Sequence, residues 1–416
     1  MSALKKQPLL DITNTKSDRN ERIKKHCTGA VYDVLPIVFP NKLSSDSNDC
    51  IIIAMQNKHP SLAMYNSDMN TESMSFTDFE ELCDPNKECE MLNFLTEIGL
   101  LPISQQCLLC GNNMRHSKQA KTWYWICTRR VNRKICNSAK FSVRRGTFFD
   151  NSKLSIQSIL RIVWNFVHHL SEEQCKQFVG ISTKTNHTVG EYYCDCRNIC
   201  NHWIRDPRNL PKLGGFGVIV EMDESYFPGQ PKFSRGRRLG TTWDDNDKWV
   251  FGLTARGSLD CILEQVPSNR SRKTLLPIIN KYCLDGTLFC SDGWKAYHCL
   301  AEHLDWEDVL HYPVKHSKNY VNPETGAHIQ TIEGLWSHVK NFLPIHGMNP
   351  RDLSSYLGWF MWTRYCKQRN LDKFVQFLKC VAEIRPPMYI QKLPKATKKS
   401  NQVQSPSNSD DDFVGI

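Results

Sequence analysis

The sequence lacks any stretch that would direct the chain out of the cell or insert it into a membrane. The segment from Met1 to Asp18 is polar and has no apolar signal-peptide core. No apolar run elsewhere approaches the roughly 20 residues that are needed to span a bilayer. We therefore expect an intracellular protein with no membrane partner, in which thiols stay reduced.

What the sequence has is length, basic charge and cysteine. A chain of 416 residues, 40% of them apolar, is long enough for two or three domains with their own cores. The net charge of +10 comes from 53 basic and 43 acidic side chains, and it suits a polyanionic partner as well as an ordinary basic enzyme. Under reducing conditions, its 18 cysteines indicate metal ligands where they are paired and core packing where they are single.

Composition changes along the chain and divides it into five parts. The predicted parts are a polar, disordered N-terminus (1–75), a helical lead-in followed by a cysteine-rich block (76–150), an all-helical region (151–206), a mixed α/β domain (217–385) and a disordered, charged tail (386–416). The sequence shows no internal repeat.

Four cysteines in the second part have the spacing of a zinc site. Cys107 and Cys110 form a CxxC knuckle followed by glycine, whereas Cys127 and Cys136 are farther apart. Four thiolates make a closed tetrahedral site that can fold a segment too small to fold by burial alone. We predict one structural zinc ion in a ribbon hairpin. His116 is an alternative ligand to the irregular second pair, and four metal-free core cysteines are the other interpretation.

The all-helical region has the pattern of three helices. Apolar residues recur at helical spacing in its first part: Ile156, Ile159, Leu160, Val163, Val167 and Leu170. Ser171 is placed to begin a second helix that ends near Gly180, and Ser182 is placed to cap a third. Two helices joined by a tight glycine-containing turn predict a helix-turn-helix. Such units place one helix in the major groove of DNA, here from Ser182 to about Tyr193.

After a loop rich in glycine and proline, the pattern changes to strands and helices. Strands are predicted at 218–223, 248–255, 261–266 and 286–290, and helices at 272–283 and from about 330 to 380. The order β-β-β-α-β-α is that of a ribonuclease-H-like catalytic domain, in which helices flank a mixed sheet. The predicted fold class is therefore α/β, with a zinc ribbon and a helix-turn-helix region ahead of the catalytic domain.

Three carboxylates occupy places where a metal-dependent nuclease needs them. Asp223 ends the first predicted strand and Asp292 follows the fourth, and sites form at the carboxyl ends of adjacent strands in open sheets. Glu333 lies beside the apolar stripe of a predicted helix. Hard cations such as Mg²⁺ prefer oxygen ligands, and two ions about 3.5–4 Å apart can clamp the attacking and leaving oxygens of a phosphodiester. Taken singly, each carboxylate is more often a turn residue or a solvated side chain.

Neighbouring acidic residues offer alternatives to this choice. Asp244, Asp245 and Asp247 lie closer together, but they occupy a polar loop in which a solvated role is expected. Glu221 shares the strand face of Asp223 and is a candidate to support it, whereas Glu224 is predicted to point the other way.

These residues carry a resemblance to the Merlin superfamily of DDE transposases and to its relatives among bacterial insertion-sequence transposases. The matching stretches are VEMDESYF (220–227), RGR (235–237) ahead of WVFG (249–252), SDGWKAY (291–297), the region 328–340 around TIEGLW, the ribbon cysteines and VRRGTFF (143–149). The resemblance covers about residues 85–380. The long polar N-terminus departs from the family pattern and suggests a eukaryotic element or a gene derived from one.

The resemblance implies a DNA transposase. Asp223, Asp292 and Glu333 match the family's catalytic carboxylates, which would bind two Mg²⁺ or Mn²⁺ ions, and Lys340 matches a basic residue placed near DNA. The enzyme would cleave the terminal inverted repeats of the transposon and join the freed 3′-hydroxyl to target DNA. Synapsis of two ends implies a homo-oligomer. A nuclear location is expected if the source is eukaryotic, and a cytoplasmic one otherwise.

Some assignments stay open at the level of sequence. Arg235, Arg237 and Arg238, in a loop after the first strand, are candidate phosphate contacts or simply part of a solvated loop. A domesticated DNA-binding protein without transposition activity would keep the ribbon and the helices. A nuclease without strand transfer would need no module for end recognition, and a zinc-ribbon interaction protein would leave the carboxylates unexplained.

Overall fold

The computed structural model describes residues 73–120, 122–131, 134–136, 140–182, 187–227, 249–298, 300–304, 306, 309–314, 327–344 and 352–388. All of them belong to the compact unit that runs from Cys50 to Ile416. The two segments for which the sequence predicts disorder lie almost entirely outside these residues. The loop that carries Arg235, Arg237 and Arg238 also lies outside them.

Two helices precede the cysteine-rich block, as the sequence predicts. Helix α1 spans Phe76–Leu82 and helix α2 spans Glu88–Glu97. Ser75 caps α1, because its hydroxyl accepts a hydrogen bond from the backbone of Asp78 while the Asp78 carboxylate accepts one from the backbone of Ser75.

The cysteine-rich block folds into short antiparallel strands. Strands β1 (Arg115–Gln119) and β2 (Thr122–Ile126) form a hairpin, and β5 (Phe141–Ser142) pairs with the other side of β2. A separate ladder joins β3 (Arg130–Val131) to β4 (Lys134–Ile135). A hairpin therefore lies between Cys110 and Cys127, where the sequence predicts one.

Three helices follow. Their bounds are Ile156–Val167 for α3, Glu172–Val179 for α4 and Thr188–Arg205 for α5. Ser171 caps α4 and Gly180 ends it in the left-handed conformation, as predicted. The third helix differs from the prediction: Ser182 is not in a helix, and α5 has His187 as its N-cap. Residues 183–186 are outside the described part of the chain, and the helix-turn-helix assignment stays a prediction.

The second half of the described chain mixes strands and helices. In chain order these are β6 (Leu213–Gly214), β7 (Ile219–Tyr226), β8 (Trp249–Ala255), β9 (Cys261–Val266), α6 (Arg272–Tyr282), β10 (Cys283–Leu284), β11 (Leu288–Ser291), α7 (Leu300–His303), β12 (Leu310–Pro313), α8 (Gln330–Phe342), α9 (Leu353–Gln368) and α10 (Lys373–Ile384).

Several elements differ from the prediction, among them β7 and β12. The ladder between β7 and β8 continues past Asp223 to Tyr226, so Asp223 lies within its strand and does not end it. Strand β12 was not predicted at all, because its four residues lack the apolar alternation on which strand prediction depends.

Five strands form one mixed sheet in the order β12-β11-β7-β8-β9. Strand β8 pairs antiparallel with β7 and with β9, whereas β11 lies parallel to β7 and to β12. Helix α8 packs against β7 and β8. The predicted mixed α/β class is therefore confirmed, and the central strand of the sheet carries Asp223.

One hydrophobic core joins the helices before the sheet to those after it. Phe79 of α1 stacks on Trp164 of α3 with 4.3 Å between ring centroids, and Phe374 of α10 meets both rings edge-on at 5.1 and 5.3 Å. Helix α5 packs closely along α9, because Gly358 has no side chain to clash with Asn201. Among the described helices, none is both long and apolar enough to cross a bilayer.

Candidate active site and zinc centre

Adjacent parallel strands bring the two predicted aspartates to the same level of the sheet. In the β7–β11 ladder, Cys290 pairs with Glu221. Asp223 and Asp292 each lie two residues farther along their chains, so they extend the same register on the same face, on strands about 4.8 Å apart. Both are partly buried. The topology thus joins two residues that are far apart in sequence.

Glu221 fixes the start of helix α8 to the central strand. Its carboxylate is fully buried and accepts hydrogen bonds from the hydroxyl of Thr331 at 2.9 Å and from the backbone N–H of Ile332 at 3.0 Å. Arg256 supplies the countercharge, with its Nε 2.6 Å from Oε1 of Glu221. Because Glu333 is the next residue after Ile332, this contact places the third predicted carboxylate beside the strand that carries Asp223.

Trp336 makes a second connection between the helix and the strand. Its indole N–H donates a 3.0 Å hydrogen bond to Oδ2 of Asp223. The ring lies over β8 at Gly252, the residue that pairs with Asp223, where a Cβ atom would come within 2.5 Å of the indole. A glycine at this position is therefore required for the indole to reach the carboxylate.

The other two predicted carboxylates act electrostatically on Asp223. Burial raises the pKa of Asp223 to about 6; the Trp336 hydrogen bond opposes this shift, and the charges of Asp292 and Glu333 add to it. Burial likewise raises the pKa of Glu224 to about 7, although the hydroxyl of Tyr297 donates a hydrogen bond to its carboxylate. Negative charge is thus concentrated where a cation would lower its energy.

The three carboxylates do not converge as tightly as the ligands of a single ion. Among the described residues, the group whose ligand atoms all lie within 4.8 Å of one another is a cluster of cysteines. Asp292 also makes the local contact expected of a turn residue, since its Oδ1 accepts a 2.9 Å hydrogen bond from the backbone of Trp294. Glu333 is exposed in the first turn of α8.

Of the predicted DNA contacts, only Lys340 can be placed. It is exposed in the last turn of α8, with its ammonium 5.7 Å from the centre of the Phe227 ring. Arg235, Arg237 and Arg238 are outside the described residues. Between Thr188 and Tyr193 of α5, the exposed charged side chain is that of Glu191. These residues therefore offer no lysine or arginine to DNA.

Sequence reasoning missed three residues that shape the site. Trp336 is buried on α8, and its hydrogen bond to Asp223 has no sequence signal. Gly252 lies in an otherwise apolar strand, and an isolated glycine in a strand does indicate a close approach. Arg256 follows β8 directly, and nothing local indicates that it pairs with Glu221.

The four predicted zinc ligands come together. The sulfur atoms of Cys107 and Cys136 are 3.8 Å apart and those of Cys110 and Cys127 are 3.6 Å apart. Zn–S bonds of about 2.3 Å in a tetrahedron give S···S edges of about 3.8 Å, so the cluster fits zinc. His116 is not in the cluster: its ring packs on Trp125 at 3.8 Å between centroids.

Comparison with known sequences supports a function for the region that contains the carboxylates. No curated protein and no solved structure gave a significant match. Residues 212–364, a little over a third of the chain, match the family described as the ISXO2-like transposase domain. The match supports a DDE transposase family for the region that carries Asp223, Asp292 and Glu333.

Proposed function

We propose that the chain is a DNA transposase with a ribonuclease-H-like catalytic domain, in which Asp223, Asp292 and Glu333 bind two divalent cations. The observation that supports the proposal is the register of β7 with β11, which brings Asp223 and Asp292 to the same end of the sheet, together with the contact of Glu221 with the helix that bears Glu333. All three lie within the part of the chain that matches a transposase domain. The Merlin superfamily is the specific family we propose, on the motifs that the sequence shares with it.

The residues present fit divalent cations of the Mg²⁺ or Mn²⁺ type. The donor set consists of carboxylate oxygens, which hard cations prefer. Burial makes the charged forms of Asp223 and Glu224 unfavourable, and their pKa values are raised for this reason. A nearby cation would offset this unfavourable free energy. When bound, the ions would activate the attacking oxygen and stabilise charge on the phosphodiester.

The chain's own residues orient the site for this chemistry. Trp336 fixes the Asp223 carboxylate by its hydrogen bond to Oδ2. Glu221 and Arg256 fix the first turn of α8, and through it the backbone next to Glu333. Asp223, Asp292 and Glu333 would together hold the two ions.

The proposed reaction has two phosphoryl transfers and no covalent enzyme intermediate. Water first hydrolyses a phosphodiester at the transposon end and leaves a 3′-hydroxyl. That hydroxyl then attacks a phosphodiester of target DNA, so that a new P–O bond forms while the P–O3′ bond of the target breaks and releases a 3′-hydroxyl. The zinc ribbon and the helices α3 to α5 would recognise the terminal repeats, a homo-oligomer would synapse two ends, and a eukaryotic protein of this kind would act in the nucleus.

A strand-joining assay tests the proposal. The full chain is incubated with Mg²⁺, target plasmid and duplexes that carry the inverted repeats flanking its coding region, and joined products are resolved on a gel. We expect Asp223→Asn, Asp292→Asn and Glu333→Gln each to abolish cleavage and joining while end binding persists. Glu302→Gln, an exposed carboxylate on α7, and Asp245→Ala, in the polar loop, should leave activity unchanged.

The same assay separates the alternatives. A wild-type chain that binds the ends without cutting them would be a domesticated DNA-binding protein. Cutting without joining would indicate a nuclease. Activity that survives the loss of Asp292 and disappears with the loss of Asp245 would show that Asp245, and not Asp292, is a catalytic carboxylate.

A further inference from the structure

Beside the carboxylates lies a cluster of two tryptophans and one arginine that the proposed chemistry does not use. The guanidinium of Arg270 lies over the ring of Trp249, 3.6 Å from its centroid, and 5.0 Å from the centroid of Trp294. Trp294 keeps 42% of its surface exposed. We call these three residues the indole–arginine cluster.

Three separate elements attach the cluster to the site. Trp294 is two residues after Asp292, and its backbone N–H donates to the carboxylate of that residue. Trp249 begins β8 and pairs with Tyr226, three residues after Asp223 on β7. Arg270, in the turn between β9 and α6, is near enough for its charge to act on Glu224. The cluster therefore lies at the end of the sheet where β7 and β11 end, beside Asp292 and on the sheet face of Glu224.

The side chain of Arg270 contributes little polar bonding to the fold. Within the described residues its side chain forms no ion pair, and the hydrogen bond of its guanidinium runs from Nε to the carbonyl of Ser268 at 3.3 Å. Its backbone φ is +38°, in the left-handed region that costs a non-glycine residue about 1 kcal/mol or more. Strain of this kind is common at ligand-binding positions. The turn thus holds a guanidinium beside an exposed indole at an energetic cost.

We propose that the indole–arginine cluster binds an unpaired nucleotide of DNA next to the scissile phosphate, with its base stacked on Trp294 and its phosphate on Arg270. The inference rests on the proposed function, because it assumes that DNA enters the carboxylate site. An exposed indole offers a face on which a base that has left its duplex can stack, and such stacking tolerates any base. A guanidinium offers forked donors to phosphate oxygens while its plane stays on an aromatic ring. The substrate is therefore an end whose strands are separated at the cleavage position.

Fluorescence of 2-aminopurine tests this directly. The analogue is placed as an unpaired base at the cleavage position, and binding is measured with no divalent ions added, so that no cutting is needed. Wild-type protein should quench the signal by stacking. Trp294→Ala should lose the quenching and bind the unpaired end about ten-fold more weakly, whereas Trp294→Phe should keep most of both. A fully paired duplex should bind all three proteins alike.

Arg270 and two control positions complete the design. Arg270→Gln should lower affinity for the unpaired end and reduce the log–log salt slope by about one. Phe216 is 89% exposed and lies at the opposite end of β7, so Phe216→Ala should change nothing, as should Arg208→Gln, which removes an exposed arginine paired with Asp206.

Each result has a definite meaning. No quenching by the wild type, or equal losses on paired and unpaired DNA in Trp294→Ala, would overturn the proposal even if joined products form. Specific loss with Trp294→Ala would establish the cluster as a nucleotide site even if no product is ever joined. The two proposals can therefore fail independently.

Discussion

The indole of Trp336 occupies the space that a side chain at Gly252 would need, since a Cβ atom on Gly252 would lie 2.5 Å from the indole ring. Gly252 pairs with Asp223 across the β7–β8 ladder, and Trp336 donates a hydrogen bond to that same aspartate. Because Gly252 on β8 has no side chain, Trp336 can reach Asp223 on β7 and fix the position of its carboxylate.

Gly252→Ala should therefore displace Trp336 and disturb Asp223. We expect a loss of about 1–3 kcal/mol in the free energy of unfolding, as for other overpacked cores, together with a marked fall in cleavage rate. Urea unfolding and a cleavage assay measure the two effects. Gly334→Ala is the control for stability, because its Cβ meets nothing within 4 Å and alanine favours the α8 helix. Full activity in Gly252→Ala would show that the indole does not position the carboxylate.

Glu221→Gln should weaken the attachment of α8 to the sheet. The substitution keeps the size of the side chain but leaves Arg256 without its anionic partner, at a cost of about 3 kcal/mol in unfolding free energy. Cleavage should also slow, because the first turn of α8 precedes Glu333. Asp195→Asn removes a carboxylate from a partly exposed pair with Arg385 and should cost less than about 1 kcal/mol. Equal costs for the two variants would refute the role of Glu221.

The carboxylates should make stability depend on pH when no divalent ion is present. Asp223 and Glu224 have pKa values raised to about 6 and about 7, above their ordinary values of 3.8 and 4.5. The folded state therefore binds more protons than the unfolded state. This contribution to stability is complete below about pH 4 and is lost as the pH rises through 6 and 7.

Urea midpoints between pH 4 and pH 8 measure this loss. We expect Asp223→Asn to show a smaller fall in stability over that range than the wild type. Added Mg²⁺ should reduce the fall in the wild type, because a bound cation favours the ionised carboxylates. If the urea midpoints of the wild type and Asp223→Asn changed with pH in parallel, with and without Mg²⁺, Asp223 would not be the source of the pH dependence.

The cysteine cluster should bind about one zinc ion per chain. Cys110→Ser removes one of four ligands and should lower the zinc content, destabilise the β1–β2 hairpin and reduce DNA binding. Cys194→Ser, on α5 and outside the cluster, is the matched control and should retain zinc. Elemental analysis and thermal unfolding are the measurements. A folded block without zinc would disprove the site.

Lys340 should bind a phosphate of the substrate. It lies seven residues after Glu333 on α8, about 10 Å along the helix axis at 1.5 Å per residue. Lys340→Ala should weaken binding of cleavable DNA and reduce the log–log salt slope by about one, with zinc content and stability unchanged. Binding titrations at several salt concentrations decide the matter. A wild-type slope with normal cleavage would identify Lys340 as a solvated side chain.

Local pattern predicted much of the fold. Strand β9 and the starts of α6 and α8 lie where apolar spacing puts them, since these segments bury a regular face. Strand β7 was predicted too short, because Asp223, Glu224 and Ser225 resemble a strand end. The ladder with β8 nonetheless continues through them, as charged side chains are tolerated where a strand borders a site.

The supporting contacts of the site could not be predicted from sequence. The partners of Glu221 on α8 are 110 and 111 residues away, and the indole that binds Asp223 is 113 residues away. Such contacts depend on how the sheet and the helix pack, and no periodicity encodes them. Strand position and family motifs together predict Asp223, Asp292 and Glu333 as the site carboxylates.

Phe374, on the last described helix, covers an aromatic pair formed by Phe79 and Trp164 some 200–300 residues earlier in the chain. A gene copy cut short before α10 would leave those rings exposed to water, and chains with such surfaces aggregate or are degraded. Truncated copies should thus leave no soluble DNA-binding fragment.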